Sequence, residues 1–309
     1  MSYTKIDWCD ETLNVATGCR GPHGKPCDFC YARKMARRLG GIKGTVYERV
    51  KFATGTADSE TGILDSYGDP FAPAIHLDVL ERQEGRLSRG HKRVPSRNPR
   101  RIFVGSMGDF CFPGKAVTFD TNGERVPENC DWNSARLQRE LADFAHRIAP
   151  HTVLLLTKRP DLLRHDVHWP GNVHLGVSVC GNEDAAIRIP KLLEVAKGSV
   201  LPWVSVEPLT DYDFDPSLLA GVKWVVVGVQ TGQGARMNKQ AGLSRMHGEL
   251  QPITVGEALY ESAERIDDWC WTNKVPLFVK SALRKIEHHL RPPMDWPREY
   301  PGVVSCQRG

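Results

Sequence analysis

Seven short apolar runs, rich in β-branched residues, constrain the fold of this chain more than any other feature. They occupy residues 12–17, 101–106, 152–158, 173–179, 200–207, 223–229 and 276–280. Runs such as T-V-L-L-L-T and K-W-V-V-V-G-V are apolar at nearly every position, the pattern of parallel strands covered on both faces. Helical periodicity lies between many of them. Ala32, Met35, Ala36 and Leu39 share one face, as do Leu137, Leu141, Phe144, Ala145 and Ile148, with Asn133 or Ser134 available as cap. Thr254 and Glu257 form a capping-box pattern ahead of Leu259, Ala263, Ile266 and Cys270. Alternating strand and helix over 309 residues predicts an α/β barrel or an open parallel sheet.

Three stretches interrupt that rhythm. Residues 41–100 read as an insertion into a single domain spanning 1–309, with helix around 74–86. Residues 111–132 and 233–253 read as long loops, and 283–309 as an irregular, proline-rich tail. No internal repeat is present.

Polar residues follow where the runs end: Gly18-Cys19, Ser106 to Asp109, Thr157-Lys158-Arg159, Ser178 to Cys180, Ser205 to Pro208, Gln230 to Gly232, and Lys280-Ser281. In parallel α/β folds the C-terminal strand ends converge on one mouth, where ligands bind. Seven strands delivering polar groups to one edge predict a functional site there.

The first of these ends carries C-R-G-P-H-G-K-P-C-D-F-C-Y, which gathers Cys19, Cys27 and Cys30 with C-x7-C-x2-C spacing. Gly18, Gly21 and Gly24 supply the left-handed angles that a tightly folded loop needs. Three thiolates on one loop suit zinc with His23 as fourth ligand. They also suit a [4Fe–4S] cluster with one open iron, whose edge Phe29 would shield. Position at a strand mouth favours the cluster, since an open iron must face a substrate cavity.

Nine cysteines in a chain with 40% hydrophobic and 25% charged residues fit a reducing setting, where thiols serve as ligands, nucleophiles or small core residues. No apolar run approaches the length of about eighteen residues that a membrane helix needs. The opening M-S-Y-T-K-I-D-W-C-D lacks a signal-peptide core, so a cytoplasmic location without membrane contact is expected. A net charge of +4 does not by itself imply a nucleic-acid partner.

The ordered set K-I-D-W-C-D-E-T-L-N-V-A-T-G-C, C-D-F-C-Y-A, R-R-I-F-V-G-S-M-G-D-F, L-L-T-K-R-P, L-G-V-S-V, S-V-E-P-L and V-V-V-G-V-Q-T-G resembles the phage-associated three-Cys-motif proteins, related to the radical S-adenosylmethionine (SAM) superfamily. The superfamily's usual spacing is C-x3-C-x2-C with an aromatic before the last cysteine; Phe29 matches, while the first gap here is seven residues. Gln230 stands where an acid is common. The resemblance implies a partial (β/α) TIM-like barrel of six or seven parallel strands. It also implies a [4Fe–4S] cluster on Cys19, Cys27 and Cys30, and SAM cleaved to a 5′-deoxyadenosyl radical with an electron from an external donor. Ser106 and Asp109 then occupy the region that holds the SAM amino group. Ser178 and Glu207 become candidates for the ribose or methionine moiety, and Lys158 and Arg159 for a carboxylate or phosphate.

Three further residues border the same mouth. Cys111 and Cys180 are candidates to return a hydrogen atom to a substrate radical, with small core residues as the alternative. Lys280 is a candidate for proton transfer or phosphate contact, with a structural pair to Glu207 as its alternative. The segment 86–101 is dense in Lys and Arg and free of acids, and Arg33, Lys34, Arg37 and Arg38 add charge after the cysteine loop. Trp8, Trp132, Trp203 and Trp224 are candidates for base stacking. Together with the phage association that the resemblance implies, these lead to modification or repair of a DNA or RNA base or nucleotide as the expected activity. The alternatives are a small metabolite, or a non-enzymatic nucleic-acid-binding protein whose zinc or iron–sulfur site is structural.

Overall fold

The structure, a computed structural model, describes residues 4, 6–22, 24, 27, 30–55, 68–93, 99–198, 200–229, 240–246, 249–281, 283 and 299–301. The chain groups into two compact units, Met1–His174 and Leu175–Gly309. The first contains β1 (Glu11–Leu13), β2 (Ala16–Thr17), α1 (Tyr31–Leu39), α2 (Val46–Thr54), β3 (Ala74–His76), α3 (Leu77–Arg93) and β4 (Arg101–Val104). It continues with β5 (Lys115–Phe119), β6 (Trp132–Asn133), α4 (Ser134–Arg147) and β7 (Thr152–Thr157). From the boundary onward come β8 (Val173–Val179), α5 (Asn182–Val195), β9 (Leu201–Val206), β10 (Trp224–Val227), β11 (Gln240–Met246), β12 (Glu249–Thr254), α6 (Val255–Thr272) and β13 (Leu277–Val279).

A mixed α/β architecture results, built on a seven-stranded parallel sheet in the order β1-β4-β7-β8-β9-β10-β13. Each of the seven apolar runs supplies one of its strands. Burial explains why: every residue of β10 is buried, as are Val153, Leu154 and Leu155 of β7 and Val173, Leu175, Val177 and Val179 of β8. Such strands need cover on both faces. In the first unit Leu137, Leu141, Phe144, Ala145 and Ile148, in and just after α4, supply it, each fully buried, with Asn133 capping the helix through Arg136 N–H. In the second unit Thr254 and Glu257 make the reciprocal capping box of α6, and Ala263, Ile266 and Cys270 face inward. Among the described residues, no helix is long and apolar enough to cross a membrane.

Several shorter elements depart from the sequence reading. The 41–100 segment contributes α2 and β3, and the helix expected at 74–86 begins only at Leu77, because 74–76 are a strand. Residues 111–132, read as loop, hold β5 and lead into β6. These join β2 and β3 in a second sheet, β2-β3-β5-β6, in which β2 and β3 are antiparallel and β3 and β5 parallel. Part of the 233–253 stretch, also read as loop, forms the antiparallel pair β11 and β12. Strands of two or three residues are too short to show period two, and Gly242 and Pro252 mask it in the pair β11–β12. Trp8, Trp132, Trp203 and Trp224 are all buried, Trp203 and Trp224 with ring centroids 5.0 Å apart. They pack in the interior and offer no face to a nucleic-acid base.

A buried polar network fixes the second sheet. His76 is 0% exposed; its Nδ1 lies 3.0 Å from Arg49 Nη2 and its Nε2 2.8 Å from Thr17 Oγ1. Arg49 can only donate, so Nδ1 accepts and the Nε2–H donates to Thr17. Arg49 also pairs with Asp78, donates to Gly123 O, and stacks 4.4 Å above the Phe119 ring. Burial, with the Arg49 charge in support, pushes His76 down to about 3. The folded chain therefore refuses a proton that the unfolded chain accepts, and this contribution to stability is lost as pH falls from about 6.5 towards 3. In urea titrations the loss approaches about 1.4 kcal/mol per pH unit. His76→Gln removes that component of the slope; an unchanged profile would exclude the network as its origin.

Candidate functional site

A close backbone crossing positions the cysteine loop. β1 is parallel to β4, and β4 to β7, so their C-terminal ends share one edge of the first unit. β2 follows β1 and leads into Gly18, which bridges to Gly108 beyond β4. Gly18 N–H donates to Met107 O at 3.0 Å, and Asp109 N–H donates to Gly18 O at 3.3 Å. Gly18 has φ +75°, and a Cβ there would lie 2.2 Å from Ala72 O; a Cβ on Gly108 would lie 2.8 Å from Gly18 O. Only glycine fits at either position. Cys19 is thereby carried alongside Asp109.

From Cys19 the loop returns to α1. Gly21 and Gly24 take positive φ, as the spacing predicts. Gly21 N–H donates to Cys19 Sγ at 3.0 Å. Cys30 is the N-cap of α1, its Sγ accepting from Arg33 N–H at 3.4 Å. Cys19 and Cys30 pack against buried Ala32, Ala36, Tyr47, Phe71 and Met107. Tyr31 donates its hydroxyl to Ser106 O, tying the start of α1 to the end of β4.

The thiols of Cys27 and Cys30 both lie within electrostatic range of Cys19. Cys19 is pushed up to about 12 by burial, then by the Asp109 charge, with Cys27 and Cys30 adding to the effect against the Gly21 N–H. Cys19, Cys27 and Cys30 are all free and half-buried. Among the described residues, no three His, Cys, Asp or Glu side chains already stand in a metal-holding arrangement. The donor chemistry nonetheless fits a cationic iron–sulfur group. It supplies three sulfurs and N–H bonds to two of them, and a bound cation would bring down the Cys19 thiol that burial and Asp109 push up. Phe29, His23 and Gln230 lie outside the described residues.

Asp109 is the centre of this edge. Its carboxylate accepts from Thr157 Oγ1 at 2.7 Å, Lys158 N at 2.9 Å and Cys111 N at 2.9 Å. Burial raises its affinity for a proton, opposed by the Lys158 and Cys111 N–H groups and the Thr157 hydroxyl. Ser106 Oγ donates to Asn14 Oδ1 at 3.0 Å, and the same oxygen accepts from Met107 N at 3.1 Å. Asn14 was missed in the sequence, where its only signal is its place one residue after β1. Cys111 is 1% exposed, and burial together with Asp109 raises its thiol.

The remaining candidates gather in the second unit. Glu207, just past β9, forms an ion pair with Lys280, just past β13, and accepts from Ser205 Oγ at 3.2 Å. Gly228 makes room for the pair, since a Cβ there would lie 2.9 Å from Lys280 Cδ and 3.1 Å from Glu207 Cγ. Ser178 Oγ donates to Glu207 O at 3.2 Å, and Cys180 Sγ lies 4.0 Å from the same oxygen. Ser178, Cys180, Glu207 and Lys280 are thus brought together.

The sequence model of a family described as a protein of unknown function, DUF5131, matches residues 3–252. The chain belongs to the DUF5131 family. The match takes in the cysteine loop, Asp109 and Glu207, and stops ahead of α6, β13 and Lys280. No curated protein and no solved structure matches the chain.

Two outcomes test this geometry. Asp109→Ala leaves three buried donors without an acceptor and costs about 3 kcal/mol in urea unfolding. In Asp109→Asn, loss of the charge also speeds alkylation of Cys19 at pH 9. Lys280→Met strands a partly buried carboxylate, so it destabilises more than the pair Glu207→Gln/Lys280→Met. A double-mutant cycle then yields a coupling of about 1 kcal/mol.

Proposed function

We propose that this chain is a radical SAM enzyme built on a partial (β/α) barrel, acting on a nucleic-acid base or nucleotide. One observation carries the reading: three free cysteines share the loop after β2, beside the C-terminal edge of a parallel sheet, with backbone N–H groups directed at two of the sulfurs.

Cys19, Cys27 and Cys30 would hold a [4Fe–4S] cluster. When bound and reduced by an external donor, the cluster supplies the electron that cleaves SAM. The protein's contribution is placement. Asp109 spends its oxygens on Thr157, Lys158 and Cys111, and so acts as a positioning residue that sets the end of β7 beside the cysteine loop. Lys158 brings a cation to that strand end for a carboxylate or phosphate. Ser106, held by Asn14, keeps the β4 turn in register with α1. In the second unit Ser178 and Glu207 are suited to hydroxyl groups of a ribose, and Lys280 to proton transfer from its pair with Glu207. Cys180 is the better candidate to return a hydrogen atom, since Cys111 is sealed in the interior. Gln230 would contact SAM or substrate.

Anaerobic loading with iron and sulfide, then reduction in the presence of SAM, tests the reading. The expected result is a chain carrying about four irons that releases 5′-deoxyadenosine, with both lost in Cys19→Ala, Cys27→Ala and Cys30→Ala. Zinc in four-fold protein coordination, or an iron-loaded chain that leaves SAM intact, would overturn it. Cys180→Ala is expected to change the product distribution while 5′-deoxyadenosine still forms.

A further inference from the structure

The cations of this chain divide into those with acidic partners and those without. In the basic run before β4, the described Arg86, Arg100 and Arg101 belong to the first group. Arg86 and Arg100 both pair with Glu11, and Arg101 pairs with Asp10. Arg100 and Arg101 also sit at the N-terminal end of β4, whereas the cysteine loop lies beyond its C-terminal end, four residues along the strand. The described cations of the segment that the sequence marks most strongly for phosphate binding are thus paired with acids.

Helix α1 belongs to the second group. Residues 19–43 hold seven Lys and Arg against one acid, Asp28. On α1, Ala32 and Ala36 face the interior, while Tyr31, Lys34, Met35, Arg37 and Arg38 are exposed. Among the described residues, none of Arg33, Lys34, Arg37 and Arg38 takes part in an ion pair, and Arg33 Nε is buried without a hydrogen-bond partner. The helix dipole accounts for Arg37 and Arg38, which lie in the last turn. It does not account for Lys34, which stands three and four residues from those arginines, where like charges repel. A polyanion laid along the helix would relieve that repulsion. Beside these charges, the Tyr31 ring is 57% exposed while its hydroxyl is held by Ser106 O, so an aromatic face is fixed next to Cys30.

We propose that the exposed face of α1 binds the phosphate backbone of a nucleic-acid strand, with Tyr31 as a stacking platform for a base at the entrance to the cysteine loop. This rests on the nucleic-acid part of the function proposed above and specifies where the strand lies. A guanidinium grips phosphate with two hydrogen bonds, and an exposed ring accepts any base. Nine helical residues extend about 13 Å, room for roughly four nucleotides at 3.4 Å spacing. That length is well short of what a stable protein interface of about 1,600 Å² needs, which disfavours an acidic protein as the occupant.

The test measures binding of a fluorescent dT20 oligonucleotide to the full chain, without cluster or SAM, between 50 and 200 mM salt. Lys34→Gln/Arg37→Gln/Arg38→Gln is expected to flatten the slope of log K against log salt by about 2, that is about 0.7 for each phosphate no longer neutralised. Lys191→Gln/Lys197→Gln/Lys223→Gln removes the same charge from exposed sites elsewhere and leaves the slope unchanged. Tyr31→Leu weakens binding about tenfold at every salt concentration, as removal of a stacking surface does. Should the triple variant unfold, Lys34→Gln alone still flattens the slope by about 0.7. A wild-type chain that does not retain the oligonucleotide, or equal slopes in the α1 and control variants, overturns the proposal. So does an α1 variant that binds normally but loses turnover only with an acidic protein reductant. Because the binding assay contains neither cluster nor SAM, failure to cleave SAM and failure to bind the strand are read separately.

Discussion

Two glycines that leave no room for a side chain decide where the chemistry of this chain gathers. Gly18 and Gly108 let the backbone after β2 pass against the turn after β4, where hydrogen bonds join the two segments across the crossing. Everything on the cysteine side depends on that approach. Cys19 is brought beside Asp109, Asp109 braces the end of β7, and Tyr31 closes the ring by returning from α1 to the β4 turn. A larger residue at either position would separate the thiol loop from the strand ends that complete its surroundings.

The electrostatics of the first unit follow from that placement. Asp109 is buried among donors, so its charge is sustained by two N–H groups and a hydroxyl rather than by water. Burial, and after it the same carboxylate, raises the thiols of Cys19 and Cys111. A buried carboxyl beside thiols whose ionisation burial resists creates surroundings whose balance favours an incoming positive charge. The second unit solves a different problem, since Glu207 and Lys280 neutralise each other and Gly228 stands aside to let them meet.

The long-range plan was legible from sequence because its physical signal is strong. A strand buried on both faces must be apolar throughout, and runs such as T-V-L-L-L-T admit little else. The capping box of α6 and the cap of α4 were equally readable, since each needs one residue type at one spacing. The second sheet was not readable: β2 and β3 are two and three residues long, and their pairing depends on partners far away in sequence. In the site, the cysteines and the glycines with positive φ could be named from spacing. Asn14 and His76 could not, because what distinguishes them is the polar atoms they meet in the folded chain. The partners of Arg86, Arg100 and Arg101 in the basic run before β4 could not be read either, since Asp10 and Glu11 lie far from them in sequence.

The pairing of β3 with β2 gives the 41–100 segment a weight that its sequence conceals. β2 leads directly into the cysteine loop, and β3 is its hydrogen-bonded neighbour, locked in turn by Arg49 from α2. A shortened chain joined across this segment would lose the flank of the strand that delivers Cys19. What reads as an ornament between the first two long strands is a structural brace, and pruning it would dismantle the approach to the thiols before any other part of the molecule.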